Sequence, residues 1–157
     1  MKPTNERVAM AFDQLGMSFE IRLLANEVRT ARLAADALGC GRGQIANSLI
    51  FRNRGSGEAV LVMCAGDRRV DLKKVKSLAD IDLGKADADF VRRQTGFAIG
   101  GVAPVGHTRP LQCLLDSSLQ RFDEIWAAAG TPESIFCMSP QELQRMTGGS
   151  WLDLAED

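Results

Sequence analysis

Residues 95–107 read Thr-Gly-Phe-Ala-Ile-Gly-Gly-Val-Ala-Pro-Val-Gly-His, an apolar run interrupted by four glycines and one proline. That composition excludes an ordinary buried strand. Glycine pairs admit positive φ and let another molecule approach the backbone, while Pro104 fixes φ and removes a donor. Backbone N–H groups in such a segment can face a ligand oxygen, as in an oxyanion hole. A tight bend at a sheet corner is the competing use of strand glycines. Spacing alone leaves both readings open.

The surrounding pattern alternates helices and strands. Thr4 is expected to cap a first helix carrying Val8, Phe12 and Leu15 on one face, with Gly16 as its stop. Phe19 to Leu23 alternates apolar with charged residues and predicts a half-buried strand. Ala31 to Leu38 predicts a short helix ending at Gly39. Ile45 to Arg52 and Ala59 to Cys64 predict a hairpin around Asn53–Gly57, with a loop longer than the two-residue ideal. Asp71 caps the next helix, and Asp87 to Gln94 predicts another, acidic at its start and basic at its end as the helix dipole favours. Strands are expected near Gly100–Val105, Leu111–Leu115, Glu124–Ala128 and Ser134–Cys137. Ser139-Pro140-Gln141-Glu142 then opens a final helix with a capping serine, a first-turn proline and a reciprocating glutamate. With no repeat or linker, the pattern predicts one compact α+β domain over residues 1–157.

Composition narrows the chemistry. The formal net charge is −1, so no global basic field draws the chain to nucleic acid. Tyrosine is absent and aromatics are few, which argues against an extended base-stacking platform. Cys40, Cys64, Cys113 and Cys137 are scattered and His107 is the sole histidine, so neither a disulfide framework nor a zinc site is expected. No motif calls for a cofactor. No apolar run is long enough to span a bilayer, and residues 1–7 lack the apolar core of a secretory signal, so no membrane partner and a cytoplasmic location are expected.

Four segments, in order and spacing, resemble the YbaK-like family, the free-standing relatives of the editing domain inserted in bacterial prolyl-tRNA synthetases. They are Ala34-Ala35-Asp36-Ala37-Leu38-Gly39, Gln44-Ile45-Ala46-Asn47-Ser48-Leu49-Ile50-Phe51, Asp71-Leu72-Lys73-Lys74-Val75 and Gly100-Gly101-Val102-Ala103-Pro104-Val105-Gly106. The resemblance covers nearly the whole chain. It implies a mainly antiparallel, curved or barrel-like sheet with helices packed outside. It also implies a trans-acting deacylase for misacylated tRNA, with a small amino acid on tRNA for proline as substrate and a synthetase as partner in trans. Where the family carries a lysine in Gln-Ile-x-Lys-Ser-Leu, this chain has Asn47.

An aminoacyl-tRNA is an ester on the terminal ribose; its hydrolysis needs an activated water and donors for the developing oxyanion. Gly100 and Gly101 are the candidate backbone donors and Asn47 completes the candidate catalytic set. Ser48, Met63, Pro104, Gly106 and His107 are the candidate substrate contacts. His107 suits base chemistry by its ordinary pKa, yet a lone histidine in a turn is commonly solvated or capping. No nucleophile-elbow serine is present. The family resemblance implies that the free hydroxyl of the terminal ribose helps activate water. Lys73 and Lys74, in the densest basic cluster, are the candidate contacts to the tRNA acceptor end; a solvated helix face is the bland alternative. Loss of the lysine also leaves open a binding module without hydrolysis, and a third reading is hydrolysis of a small free ester.

Overall fold

The computed structural model describes residues 1–157. Its helices are α1 (Pro3–Gln14), α2 (Ala31–Leu38), α3 (Leu72–Ala79), α4 (Ala88–Thr95) and α5 (Pro140–Thr147). Its strands are β1 (Arg22–Leu23), β2 (Ala46–Asn53), β3 (Ala59–Ala65), β4 (Leu83–Gly84), β5 (Gln112–Asp116), β6 (Ile125–Ala128), β7 (Ser134–Met138) and β8 (Ser150–Leu152). Short 3-10 turns occupy Arg42–Gln44 and Ser117–Arg121.

Strand β3 explains the architecture. All of its residues are buried, and side chains alternate between two cores. Leu61, Met63 and Ala65 enter the main core with α1, β6, β7 and α5, while Val60, Val62 and Cys64 face a second core beneath α3. Burial on both faces is why this strand reads as a continuous apolar run rather than an alternating one. It lies at the centre of a five-stranded sheet ordered β4-β2-β3-β5-β8. The β2–β3 and β2–β4 pairings are antiparallel, whereas β3–β5 and β5–β8 are parallel. A three-stranded antiparallel sheet, β1-β7-β6, adjoins it through a parallel bridge between Ile45 and Trp126. The result is an α+β fold around a curled, mixed sheet. No helix is long and apolar enough to cross a membrane.

Local signals place most elements. Asp71, Asp87 and Ser139 each accept from first-turn amides of the helices they precede, satisfying donors that have no intrahelical partner. Three expectations are corrected. Thr4 lies inside α1; Pro3 takes the first helical position, for which its fixed φ is suited, and the Asn5 side chain receives the Lys2 N–H. No strand forms over residues 100–105. Gly101 N–H is drawn into a turn with Ala98 O (2.9 Å), and Pro104 has no N–H to give a ladder. Val102, Ala103 and Val105 nonetheless enter the main core as irregular backbone. The expected strand from Phe19 is also shorter, pairing only at Arg22 and Leu23.

Candidate functional site

The turn Ala98–Gly101 shapes one wall of a cleft. Gly100 adopts φ +88°, a conformation open to glycine and costly for other residues. Arg29 clamps this turn from outside: its Nη1 donates to Ile99 O at 2.9 Å and its Nε to Glu27 Oε2 at 2.9 Å. Gly101 is pressed against another segment, since a Cβ there would stand 2.8 Å from the Thr131 backbone. The paired-donor expectation is thereby corrected. Gly101 N–H is spent on Ala98 O, while Gly100 N–H makes no hydrogen bond within the protein.

Opposite this wall stands the start of β2. Ala46, Asn47 and Ser48 border the same cleft, together with the front of α2, Trp126 of β6 and Ser134 of β7. Its volume is about 430 Å³, within the range of small-molecule sites. Packing of Ala31, Ala34 and Ala35 on Ile45 seats α2 close to β2, because alanines let the helix approach the sheet. Asn47 is half-buried and its amide has no hydrogen-bond partner in the protein. Ser48 borders the cleft too, with its hydroxyl turned to Met63 Sδ at 3.3 Å. Arg29, Arg32 and Arg42 also line it, and no carboxylate, histidine, cysteine or lysine does.

The remaining expected site residues lie elsewhere. Met63 is wholly buried in the main core and reaches the cleft only through Ser48. Pro104, Gly106 and His107 line a separate hollow of about 580 Å³ beside the ends of α1 and α5. His107 donates from Nε2 to Ala103 O at 2.7 Å and meets Phe97 edge-on. Burial, with Arg7 nearby, holds its imidazole pKa below the ordinary value despite that hydrogen bond. Lys73 and Lys74 border neither hollow. Lys74 Nζ is engaged by Ala155 O at 2.7 Å, Asp157 at 2.9 Å and Asp153 at 3.5 Å. These contacts come from the far end of the chain, which sequence spacing does not reveal.

The three cleft arginines leave little mark in the sequence, because they are spaced three and ten residues apart and form no dense basic run. A scan for dense basic clusters finds residues 68–76 and passes over them. The cysteines offer no nucleophile: burial pushes the Cys64 and Cys113 thiols up to about 12, and Cys137 to about 11. No group of three metal-ligating side chains exists.

A family model described as the aminoacyl-tRNA editing domain matches residues 25–146, a span that includes α2, β2 and the Gly100 turn. This chain belongs to the aminoacyl-tRNA editing domain family. The fold of this editing domain superposes on the crystal structure of a candidate trans-editing enzyme for prolyl-tRNA synthetase with a TM-score of 0.93, at 41% identity over 100% of this chain and 99% of the other. The uncharacterized protein YwhH of Bacillus subtilis is 31% identical over 147 residues, 93% of each chain. A candidate Cys-tRNA(Pro)/Cys-tRNA(Cys) deacylase, EbsC of Enterococcus faecalis, is 24% identical over 126 residues, 80% of this chain and 76% of its own.

Proposed function

We propose that this chain is a trans-acting deacylase, one editing unit over residues 1–157, that hydrolyses the ester of a misacylated tRNA without a metal or cofactor. The cleft carries this reading. It offers unpartnered donors, the Gly100 amide and the Asn47 side chain, and holds no acid or base of its own. Such a lining suits a substrate that brings its own activating group. The free hydroxyl of the terminal ribose orients water toward the ester carbonyl. Water adds to the carbonyl carbon, the carbonyl oxygen becomes an oxyanion facing Gly100 N–H, and the ester C–O bond then breaks. The departing ribose oxygen takes the proton released by water, leaving free amino acid and uncharged tRNA. A positioned oxyanion donor contributes about 3 kcal/mol of transition-state stabilisation in other enzymes.

The substrate class is a small amino acid on tRNA for proline, met by the acceptor end in the cytoplasm, with a synthetase as partner in trans. Support comes from the names of the trans-editing enzyme and EbsC and from the modest cleft volume. Selection among small residues rests on ~1–3 kcal/mol per methylene in an apolar pocket. Asn47 gives a second reading its footing, that of a module binding the aminoacyl end without hydrolysis, because asparagine keeps hydrogen bonds but lacks a lysine's charge.

A deacylation panel with tRNAs charged with alanine, cysteine, serine and threonine separates the two. The deacylase reading expects wild type to clear at least one of them. Asn47→Ala should slow that reaction about 3- to 10-fold, the worth of one neutral hydrogen bond. Asn47→Lys should shift the preferred amino acid. A wild type inert on the whole panel, with activity appearing only in Asn47→Lys, establishes the binding module instead. An active wild type indifferent to both changes removes Asn47 from the site.

A further inference from the structure

Charge on this molecule is nearly balanced overall, yet the cleft is not balanced. Of its lining side chains the only ionic ones are Arg29, Arg32 and Arg42. Arg29 is committed to Glu27 and to Ile99 O. Arg32 and Arg42 are exposed and form neither an ion pair nor a hydrogen bond within the protein. Asp67, which abuts Gly43, is already engaged: Arg121 holds it bidentate at 2.9 and 3.2 Å, and Arg68 lies near it. Arg121 accordingly keeps the Asp67 carboxyl below its ordinary pKa.

Local preference does not account for Arg32. It is the second residue of α2, where the helix dipole disfavours a cation; no acidic residue in that first turn offsets it, and Asp36 one turn on forms no ion pair with it. A local rule broken with no compensating internal contact is a feature of functional sites. Arg42 opens the 3-10 turn that delivers the chain into β2, so Arg32 and Arg42 line the same cleft as Asn47.

We infer that Arg32 and Arg42 form a phosphate-binding rim, holding the sugar–phosphate backbone of an RNA 3′ end whose terminal residue enters the cleft. This rests on the deacylase reading only for what occupies the cleft. Guanidinium groups suit phosphate because their planar forks donate two parallel hydrogen bonds and remain charged at any working pH. Two such contacts on the single-stranded end of a tRNA anchor the substrate without a broad basic face, which a chain of net charge −1 does not need.

The test measures binding and hydrolysis separately. Fluorescence anisotropy follows a short acceptor-stem RNA with a single-stranded 3′ end, uncharged, across a salt series. Arg32→Gln/Arg42→Gln should bind at least 10-fold more weakly at low salt. The slope of log affinity against log salt should fall by about 1.4, two contacts on a single strand. Arg92→Gln/Arg93→Gln, which removes equal charge from two exposed positions of α4, should stay within about twofold of wild type; guanidinium charge alone is then not the cause. Hydrolysis is compared on aminoacyl-tRNA and on the phosphate-free 3′-aminoacyl adenosine. The rim predicts a loss at least 10-fold larger on the tRNA. A wild-type that binds the RNA through these arginines but hydrolyses neither ester would overturn the deacylase reading and support the rim. Unchanged RNA affinity and slope in Arg32→Gln/Arg42→Gln, an equal loss in the α4 variant, or equal losses on both esters would each overturn the rim.

Discussion

Gly100 and Gly101 are neighbours with opposite obligations. Gly101 answers to packing: its backbone lies on Thr131 and Pro132, and its N–H closes the turn at Ala98. An added methyl at 2.8 Å from main-chain atoms has nowhere to go, so Gly101→Ala is expected to destabilise the fold by about 1–3 kcal/mol, read from its urea midpoint. Gly100 answers to the cleft. A Cβ there meets the flexible Arg29 side chain at 3.1 Å and takes on a positive φ, a smaller cost of about 1–2 kcal/mol. Gly100→Ala should therefore remain folded at 25 °C while deacylation falls about 100-fold as its amide shifts. Folded Gly100→Ala with full activity would take the amide out of the mechanism. The glycine pair was legible in sequence as something unusual, but the division of labour was not, because it depends on Thr131, thirty positions away.

Elements defined by their own termini were the most legible. Helix α5 carries its whole start signal within four residues: Ser139 Oγ accepts from Glu142 N–H at 3.1 Å, and Glu142 Oε1 accepts from Ser139 N–H at 2.9 Å. Ser139→Ala should cost about 1 kcal/mol of unfolding free energy, and Glu142→Ala a comparable share of the same reciprocal pair. A double variant no worse than either single one would be the signature of that reciprocity in denaturant titrations. Strands β4 and β8 left no such mark. They are two and three residues long and exist because Arg52 and Asn53 pair with Gly84 and Leu83, and Leu114 to Asp116 with Ser150 to Leu152. Period-2 alternation needs more residues than these strands possess.

At the scale of the whole molecule, one histidine makes stability depend on pH. The folded protein keeps His107 neutral, because burial lowers its pKa, while the unfolded chain titrates near 6.5. The unfolded state thus binds the proton first as pH falls. The stabilisation from a neutral His107 is full above about pH 6.5 and is lost as pH drops through the folded value. Urea midpoints from pH 8 down to 5.5 should fall for wild type and stay flatter for His107→Gln; a parallel decline in both would assign the effect to other groups. The hydrolysis rate should show no bell from an enzyme acid and base, since the cleft's only titratable side chains are arginines. By itself the sequence determined the helix spans from Ala31, Leu72, Ala88 and Pro140 onward and the β2–β3 hairpin. Those follow from capping, periodicity and turn chemistry acting over a few residues. Tertiary structure alone decided that β3 is buried on both faces, that Arg29, Arg32 and Arg42 join Asn47 and Gly100 in one cleft, that His107 belongs to another, and that Lys74 is tied to Asp153 and Asp157. Such convergence is set by contacts like Ile45 with Trp126 and Gly101 with Thr131, whose partners are far apart along the chain and leave no periodic trace in it.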